Sequence, residues 1–541
     1  MASLARLEAS VSGLITLPSR ERAPRRSGPI DGWPSIASAA AIAGALAALA
    51  IVCGWRGSDL PAQIFRSDLI RQDGFVVWNN QWFGGHALLG YSVLAPALGA
   101  LTSPLAVGAV SGIVAAVAFE RILRFSFGHA SWLGATWFAL GTVTNLIVGR
   151  TTFALGVALG LGAVYMLQRR HPLPATICAL LCSLSSPLAG AFLAITGAAW
   201  FCAQRDRRVG AAAMTIAAVL PIAVVALLFP TTGAEPYEPW ALAWDLSLCV
   251  VLAIALREHK AVRWGAALFA LAAIGAFVVP SALGGNFSRF GQYIAGPLLA
   301  CALLPRRRVL LALLAAPLLV WQWVPAVDGI AFAREDPSTR AAYYAPVVAF
   351  LESQPGAVGR VEVPSTYRHW EAAYVAPHLL LARGWERQLD IAYNPLFYSA
   401  PLNAHTYQQW LTENGVRFVA LPDAQLDDSS LAERALLLHG LPYLHRVWHD
   451  QHWTVWQVDG FRGLVVGDAT LQTLTADRLT IDVHTPGTIE LRVRATSHWK
   501  VKGGGCAAST SDGWTMLRDL PAGTVTVTQA LSGTKCPEVG P

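Results

Sequence analysis

The sequence predicts a polytopic α-helical membrane protein of about eleven transmembrane helices, ending in an extracytoplasmic region of α/β plus β-sandwich type. Three observations predict it. Of 541 residues, 54% are hydrophobic and only 14% charged, too apolar for an ordinary soluble chain. Apolar runs recur as far as Val324, most of them long enough for a helix to cross a hydrocarbon core. Basic residues gather in short clusters between those runs, which is how cytoplasmic loops are marked. The net charge of +6 therefore reads as topology, and no nucleic acid is expected as a partner, because no basic face marks a soluble domain.

Residues 1–34 carry Arg6, Arg20, Arg22, Arg25 and Arg26 among Pro and Ser. They read as a basic cytoplasmic tail that sets the first helix running outward. A cleavable signal peptide competes with this, but the apolar run is long for an h-region and further spans follow. Residues 35–325 form the transmembrane domain. Its first span, about Ser35 to Trp55, leads to an external loop, 56–91; the second, about Ser92 to Ala118, returns to Glu120, Arg121 and Arg124. A hairpin of about Ala130–Val148 and Phe153–Gln168 turns outside at Gly149–Thr152 and ends at Arg169, Arg170 and His171. Pro172–Cys202 holds two short spans around Ser183–Pro187, because Pro187 cannot continue a helix and serine caps one. Spans at about 209–229, 241–256 and 264–280 follow, with basic clusters at Arg205–Arg208 and Arg257–Arg263. The tenth ends at Arg306–Arg308, and the eleventh, about Val309 to Val324, delivers the rest of the chain outside. The expectation is a multi-pass plasma-membrane protein with a cytoplasmic N-terminus and an extracytoplasmic C-terminal region.

Beyond the last span no spanning run remains. Residues 326–463 mix helical patterns with short apolar strands, as in an α/β domain, whereas 464–541 alternate polar and apolar residues between Gly, Pro and Asp turns, as in a β-sandwich. Cys506 and Cys536 are the only cysteines in this polar region. Outside the cytosol they are expected to form a disulfide contributing on the order of 3 kcal/mol.

Within the external loop, Asp59 to Tyr91 concentrates three aspartates, two arginines and a histidine between two spans. Asp59 stands at its start, where a carboxylate at the lipid boundary suits a general base. Capping the amphipathic segment that follows is its alternative role. Trp78, Asn79, Trp82 and His86 combine flat aromatic faces with amide donors, a mix that suits sugar binding and equally an aromatic belt. Asn286, Arg289 and Tyr293 share a face at the outer end of the tenth span. Arg289 is the candidate for a bidentate grip on phosphate, with lipid-headgroup snorkelling as the alternative, and Arg150 has the same two readings. Asp245, inside the eighth span, marks a polar chamber or a proton relay. No nucleotide-binding, zinc-protease or hydrolase motif is present.

With these segments placed, the layout resembles the GT-C superfamily of integral membrane glycosyltransferases, in particular its actinobacterial branch with a YfhO-like or arabinofuranosyltransferase-like plan. The resemblance rests on Asp59 just after the first span, WNNQWFGGH (Trp78–His86), GYSVLAP (Gly90–Pro96), GGNFSRFGQY (Gly284–Tyr293) and RGWERQLD (Arg383–Asp390). It implies a polyprenyl-phosphate sugar donor, a cell-envelope glycan or lipid acceptor, surrounding membrane lipids, and Asp59 as catalytic base. No acid stands beside Asp59, so the resemblance leaves a divalent metal ion open. The alternatives are a transporter or flippase of lipid-linked saccharides and a structural component of an envelope-assembly complex.

Overall fold

A computed structural model describes residues 33–230 and 232–537; the basic tail up to residue 32 lies outside them. From Trp33 to Ala331 the described residues are mostly helical. Five helical segments are long and apolar enough to cross a membrane: Pro104–Val148, Thr151–Gln168, Arg205–Leu228, Lys260–Val278 and Arg308–Ala331. Shorter apolar helices lie among them, including Pro172–Ser185, Pro187–Ala203 and Pro239–Ala255. A helix satisfies most of its backbone polar groups internally, the condition lipid imposes, and the exceptions here are the ends and the turns before Pro221, Pro317 and Pro325.

The elements that matter for the site are α1 (Trp33–Cys53), α2 (Leu60–Asp73), α3 (Ala95–Leu101), α4 (Pro104–Phe127), α5 (Trp132–Val148) and α6 (Thr151–Gln168). They are followed by α7 (Pro172–Ser185), α8 (Pro187–Ala203), α9 (Arg208–Leu228), α10 (Pro239–Ala255), α11 (Lys260–Val278), α12 (Ser288–Leu303) and α13 (Arg308–Ala331). Two boundaries differ from the sequence expectation. The run from Ser92 is broken at Thr102 and Ser103, where the Ser103 hydroxyl accepts from Ala106 N (3.1 Å) and starts a new helix. That helix then continues past Arg121 and Arg124 to Phe127, because the acid and both arginines stay in helical register and nothing breaks it before Gly128.

After α13 a four-stranded sheet forms in the order β3 (Arg360–Glu362), β4 (Val416–Pro422), β6 (Trp453–Val458), β5 (Leu444–His449), with β3 parallel to β4 and the rest antiparallel. From Val465 onward two four-stranded antiparallel sheets face each other over Leu479, Ile481, Leu491, Leu517, Val525 and Val527. Alternate residues of these strands point inward, as a half-buried strand requires. Cys506 and Cys536 are joined as a disulfide.

The external loop does not lie as a separate flap on the helices. Leu60, Phe65 and Leu69 of α2, with Trp82 and Phe83, share one core with Tyr344, Val347, Val361 and Trp370 of the C-terminal region. A small hairpin, β1 (Trp78–Asn79) with β2 (His86–Ala87), is therefore clamped between the helices and both C-terminal units.

Candidate functional site

The position of Asp59 follows from the end of α5. The last carbonyls of a helix lack intrahelical donors, and here Ile147 O accepts from Gly57 N (2.6 Å) and Val148 O from Asp59 N (2.9 Å). Gly149 closes that helix with φ +95°, and a Cβ there would lie 2.1 Å from Leu60 N, so only glycine lets α2 begin against it. The next residue, Arg150, thus meets Asp59, with Nε 3.2 Å from Oδ2. The Asp59 side chain makes no hydrogen bond to the helix it precedes, so its capping role is not realised and its carboxylate is turned to Arg150.

These two groups line a cavity of about 370 Å³ at the junction of the helices and the C-terminal region, shared with Asn286, Arg289, Arg66, Glu235, Glu386 and Arg387. Most of its ions are paired. Arg66 Nη2 lies 2.6 Å from Glu386 Oε2, and Arg387 Nη2 lies 2.8 Å from Asp427. Arg289 differs: among the described residues its side chain makes no ion pair or hydrogen bond, and its guanidinium lies 5.9 Å from the centre of the Phe153 ring. A sheltered guanidinium that no carboxylate contacts leaves its donors open to an anion. Burial pushes the Glu235 carboxyl up, and the cations Arg387, Arg289 and Arg150 oppose that rise. Burial likewise raises Glu386, against the pull of Arg66. A second cleft of about 320 Å³ meets the chamber at Arg150, Glu235, Asn286 and Arg289 and continues to Trp240, Trp244 and Trp321. Trp240 is 68% exposed, so this arm of the site opens on an aromatic rim.

Asp59, Arg150, Asn286 and Arg289 are thus brought together, and the other sequence-singled residues are placed elsewhere. Trp78 is buried against Trp499 at the base of the β-sandwich, and its indole donates to Asn80 Oδ1 (2.8 Å). Asn79 accepts from Gln81 N (2.8 Å) and has no exposed surface. Trp82 stacks on Phe65 (4.3 Å) and is so enclosed that a Cβ at Gly384 would lie 2.5 Å from it. His86 stacks on Trp82, and burial, aided by Arg66, pushes its imidazolium down to about 3, so it is neutral at physiological pH. The expected sugar platform is instead a peg fixing the loop to the C-terminal region, because these rings remove more apolar surface from water inside that core than a cleft would allow. Tyr293 shares a 2.6 Å hydrogen bond with Thr144 inside the bundle, beneath the chamber. Asp245 accepts from Tyr237 and Ser288, both 2.6 Å, and is 1% exposed; it lines a different cavity.

Arg66, Glu235, Glu386 and Arg387 were not legible as site residues. Arg66 reads as a local partner of Asp68, whereas that pairing belongs to Arg71, and Arg66 reaches an acid 320 positions away. The polar and aromatic density of RGWERQLD was the one available signal. Its Trp385 donates to Ser58 O (2.7 Å), tying this segment to the residue before Asp59.

Among the described residues no group of three His, Cys, Asp or Glu side chains is placed to hold a metal ion. Asp59 is already committed to Arg150, so the donor set does not fit a divalent ion and no step is derived through one. No family model matches the chain, and a search of curated proteins returns no match.

Proposed function

We propose that the protein is a multi-pass membrane glycosyltransferase of the GT-C type, with about eleven crossings, a cytoplasmic N-terminus and its C-terminal region outside the cytosol. It moves a sugar from a polyprenyl-phosphate donor to an envelope glycan or lipid acceptor. The observation that carries this reading is the unpartnered Arg289 beside the Asp59–Arg150 pair in one chamber at the helix ends. The donor phosphate binds Arg289 and draws Arg150 away from Asp59. Freed of its partner, the carboxylate takes the proton of the acceptor hydroxyl as that oxygen attacks the anomeric carbon. The bond from that carbon to the phosphate oxygen breaks, and the electron pair leaves on polyprenyl phosphate, whose charge the two guanidinium groups stabilise. The Trp240, Trp244 and Trp321 cleft gives the isoprenoid chain an apolar route from the lipid.

The test is purified protein in liposomes with a labelled polyprenyl-phosphate sugar, scored for bond formation and for movement between leaflets. Product formation that disappears in a folded Asp59→Asn variant is the expected result. Movement of donor without a new glycosidic bond identifies a flippase and overturns the proposal.

A further inference from the structure

A cavity larger than the chamber lies apart from it. About 590 Å³ lies between α4, α6, α8, α10, α11 and α12. Its position follows from α6: Thr152 and Phe153 at one end of that helix line the chamber, whereas Leu161, Val164 and Gln168 line this cavity. The two spaces therefore belong to opposite ends of the bundle. From Lys260 to Phe269, both on its wall and within α11, the cavity runs roughly 14 Å at 1.5 Å per residue, close to one leaflet of an ~30 Å hydrocarbon core.

The walls are apolar, with Phe119, Leu123, Leu252, Phe269 and Leu298 among them, and the mouth is basic and polar: Gln168, Arg207 and Lys260. The acids at that end are engaged elsewhere, Asp206 with Arg170 at 3.0 Å and Glu258 with Arg257 at 3.4 Å. Asp206 is 3.8 Å from Arg207, whose Nε nevertheless has no hydrogen-bond partner. The Lys260 side chain makes no ion pair or hydrogen bond among the described residues. Gln168 is 4% exposed, its amide nitrogen is used by Ser126 (3.2 Å), and its carbonyl oxygen has no partner. A buried acceptor left unpaired at the mouth of a cavity is a group facing a ligand.

We propose that this cavity binds one acyl chain of an anionic phospholipid with a hydroxylated headgroup. The phosphate sits on Arg207 and Lys260, a headgroup hydroxyl donates to Gln168, and the chain lies along Leu252 and Leu248. It stops a turn short of Asp245, which closes the cavity with a carboxylate whose Oδ2 accepts from Tyr237 and Ser288 and whose Oδ1 has no hydrogen-bond partner among the described residues. This site is separate from the transfer chamber and its occupancy does not depend on the chemistry there.

The experiment is native mass spectrometry of the delipidated full chain after adding phosphatidylglycerol or phosphatidylcholine. Phosphatidylglycerol is expected to be retained at least about tenfold better, as two cations at a lipid headgroup imply. Gly265→Leu tests the chain site, because a Cβ there meets only Ala199 at 3.8 Å and the longer side chain extends into the space; it abolishes retention. The double variant Arg207→Gln, Lys260→Gln, which leaves the cavity walls intact, brings the two lipids to equal retention, while Asp59→Asn leaves the preference unchanged. Equal retention of both lipids by the unaltered protein overturns the headgroup assignment, and phosphatidylglycerol held equally by folded Gly265→Leu overturns the site. Glycerol 3-phosphate that displaces the lipid would show a free-phosphate site and overturn the acyl chain.

Discussion

Two clusters of sheltered charge stand close together in the chain yet differ in kind. In the C-terminal region, Arg383 is enclosed by Asp390 at 2.6 Å, Glu433 at 3.7 Å and Glu362 at 3.8 Å, with Ser429 and Ser430 on its remaining nitrogens. Glu362 and Glu433 are fully buried. In the chamber, formed in part by Glu386 and Arg387 a few residues further along the same RGWERQLD stretch, acids and arginines instead face about 370 Å³ of open space, and among the described residues one guanidinium has no partner. The residue types are the same. The difference teaches that closure, not charge density, separates a structural cluster from a binding one: the first has an excess of carboxylates that folding must neutralise, the second an excess cation that awaits an anion.

The largest effect expected from this contrast is on stability. Arg383→Ala leaves Asp390, Glu362 and Glu433 without their cation and should cost about 3–5 kcal/mol, read as a loss of folded protein or a large fall in the unfolding midpoint. A variant that unfolds like the unaltered chain would place Arg383 outside the structural class. Asp59→Asn should do the reverse: transfer falls about 10²–10⁴-fold, the range for a lost general base, while the unfolding midpoint barely moves. Arg289→Ala should lower turnover about 10²-fold or more without loss of stability, because no protein group loses a partner. If instead its removal destabilises the fold, Arg289 is a structural ion like Arg383.

How far the sequence foreshadowed this contrast depended on distance along the chain. Helices were legible because apolar length is a local property, and Asp59, Arg150, Asn286 and Arg289 could be singled out because each lies at a helix end. The break at Ser103 was missed although Ser103–Pro104 carries the same cap-and-proline signal as Ser186–Pro187, because the apolar run around it was long enough to be read as one span. Glu235, Glu386 and Arg387 acquire their meaning from neighbours on distant segments, which no spacing rule reveals. The Trp78–His86 hairpin misled for a related reason. Aromatic rings with amides describe a sugar platform and a buried peg equally, and only the fold shows that Trp82 faces Gly384 and Phe65.

The smallest effect, and the one that sharpens the comparison furthest, is the pH dependence of the closed cluster. Burial raises both the Glu362 and the Glu433 carboxyl, with the charge of Glu433 adding to the rise at Glu362 and that of Asp390 to the rise at Glu433, although Arg383 pulls the other way. A carboxyl whose folded value lies above its unfolded one, near ~4.3, stabilises the fold fully below the unfolded value. That contribution is lost as pH rises through the folded value. Asp427, held below the usual carboxylate range by His369 and Arg387 despite its burial, acts oppositely: its contribution is present above its unfolded value and lost only as the solution turns acidic. The C-terminal region should therefore lose stability as pH rises from ~4.3, Glu433 contributing to the loss until about pH 7 and Glu362 beyond it, at up to about 1.4 kcal/mol per pH unit for each proton released. Thermal unfolding followed across that range checks it. Glu362→Gln keeps the shape and removes the titration, so its unfolding midpoint should vary less with pH than that of the unaltered chain. An unchanged slope would mean that Arg383 already holds both glutamates ionised, and the closed cluster would then be a fully charged network rather than one that buries a proton.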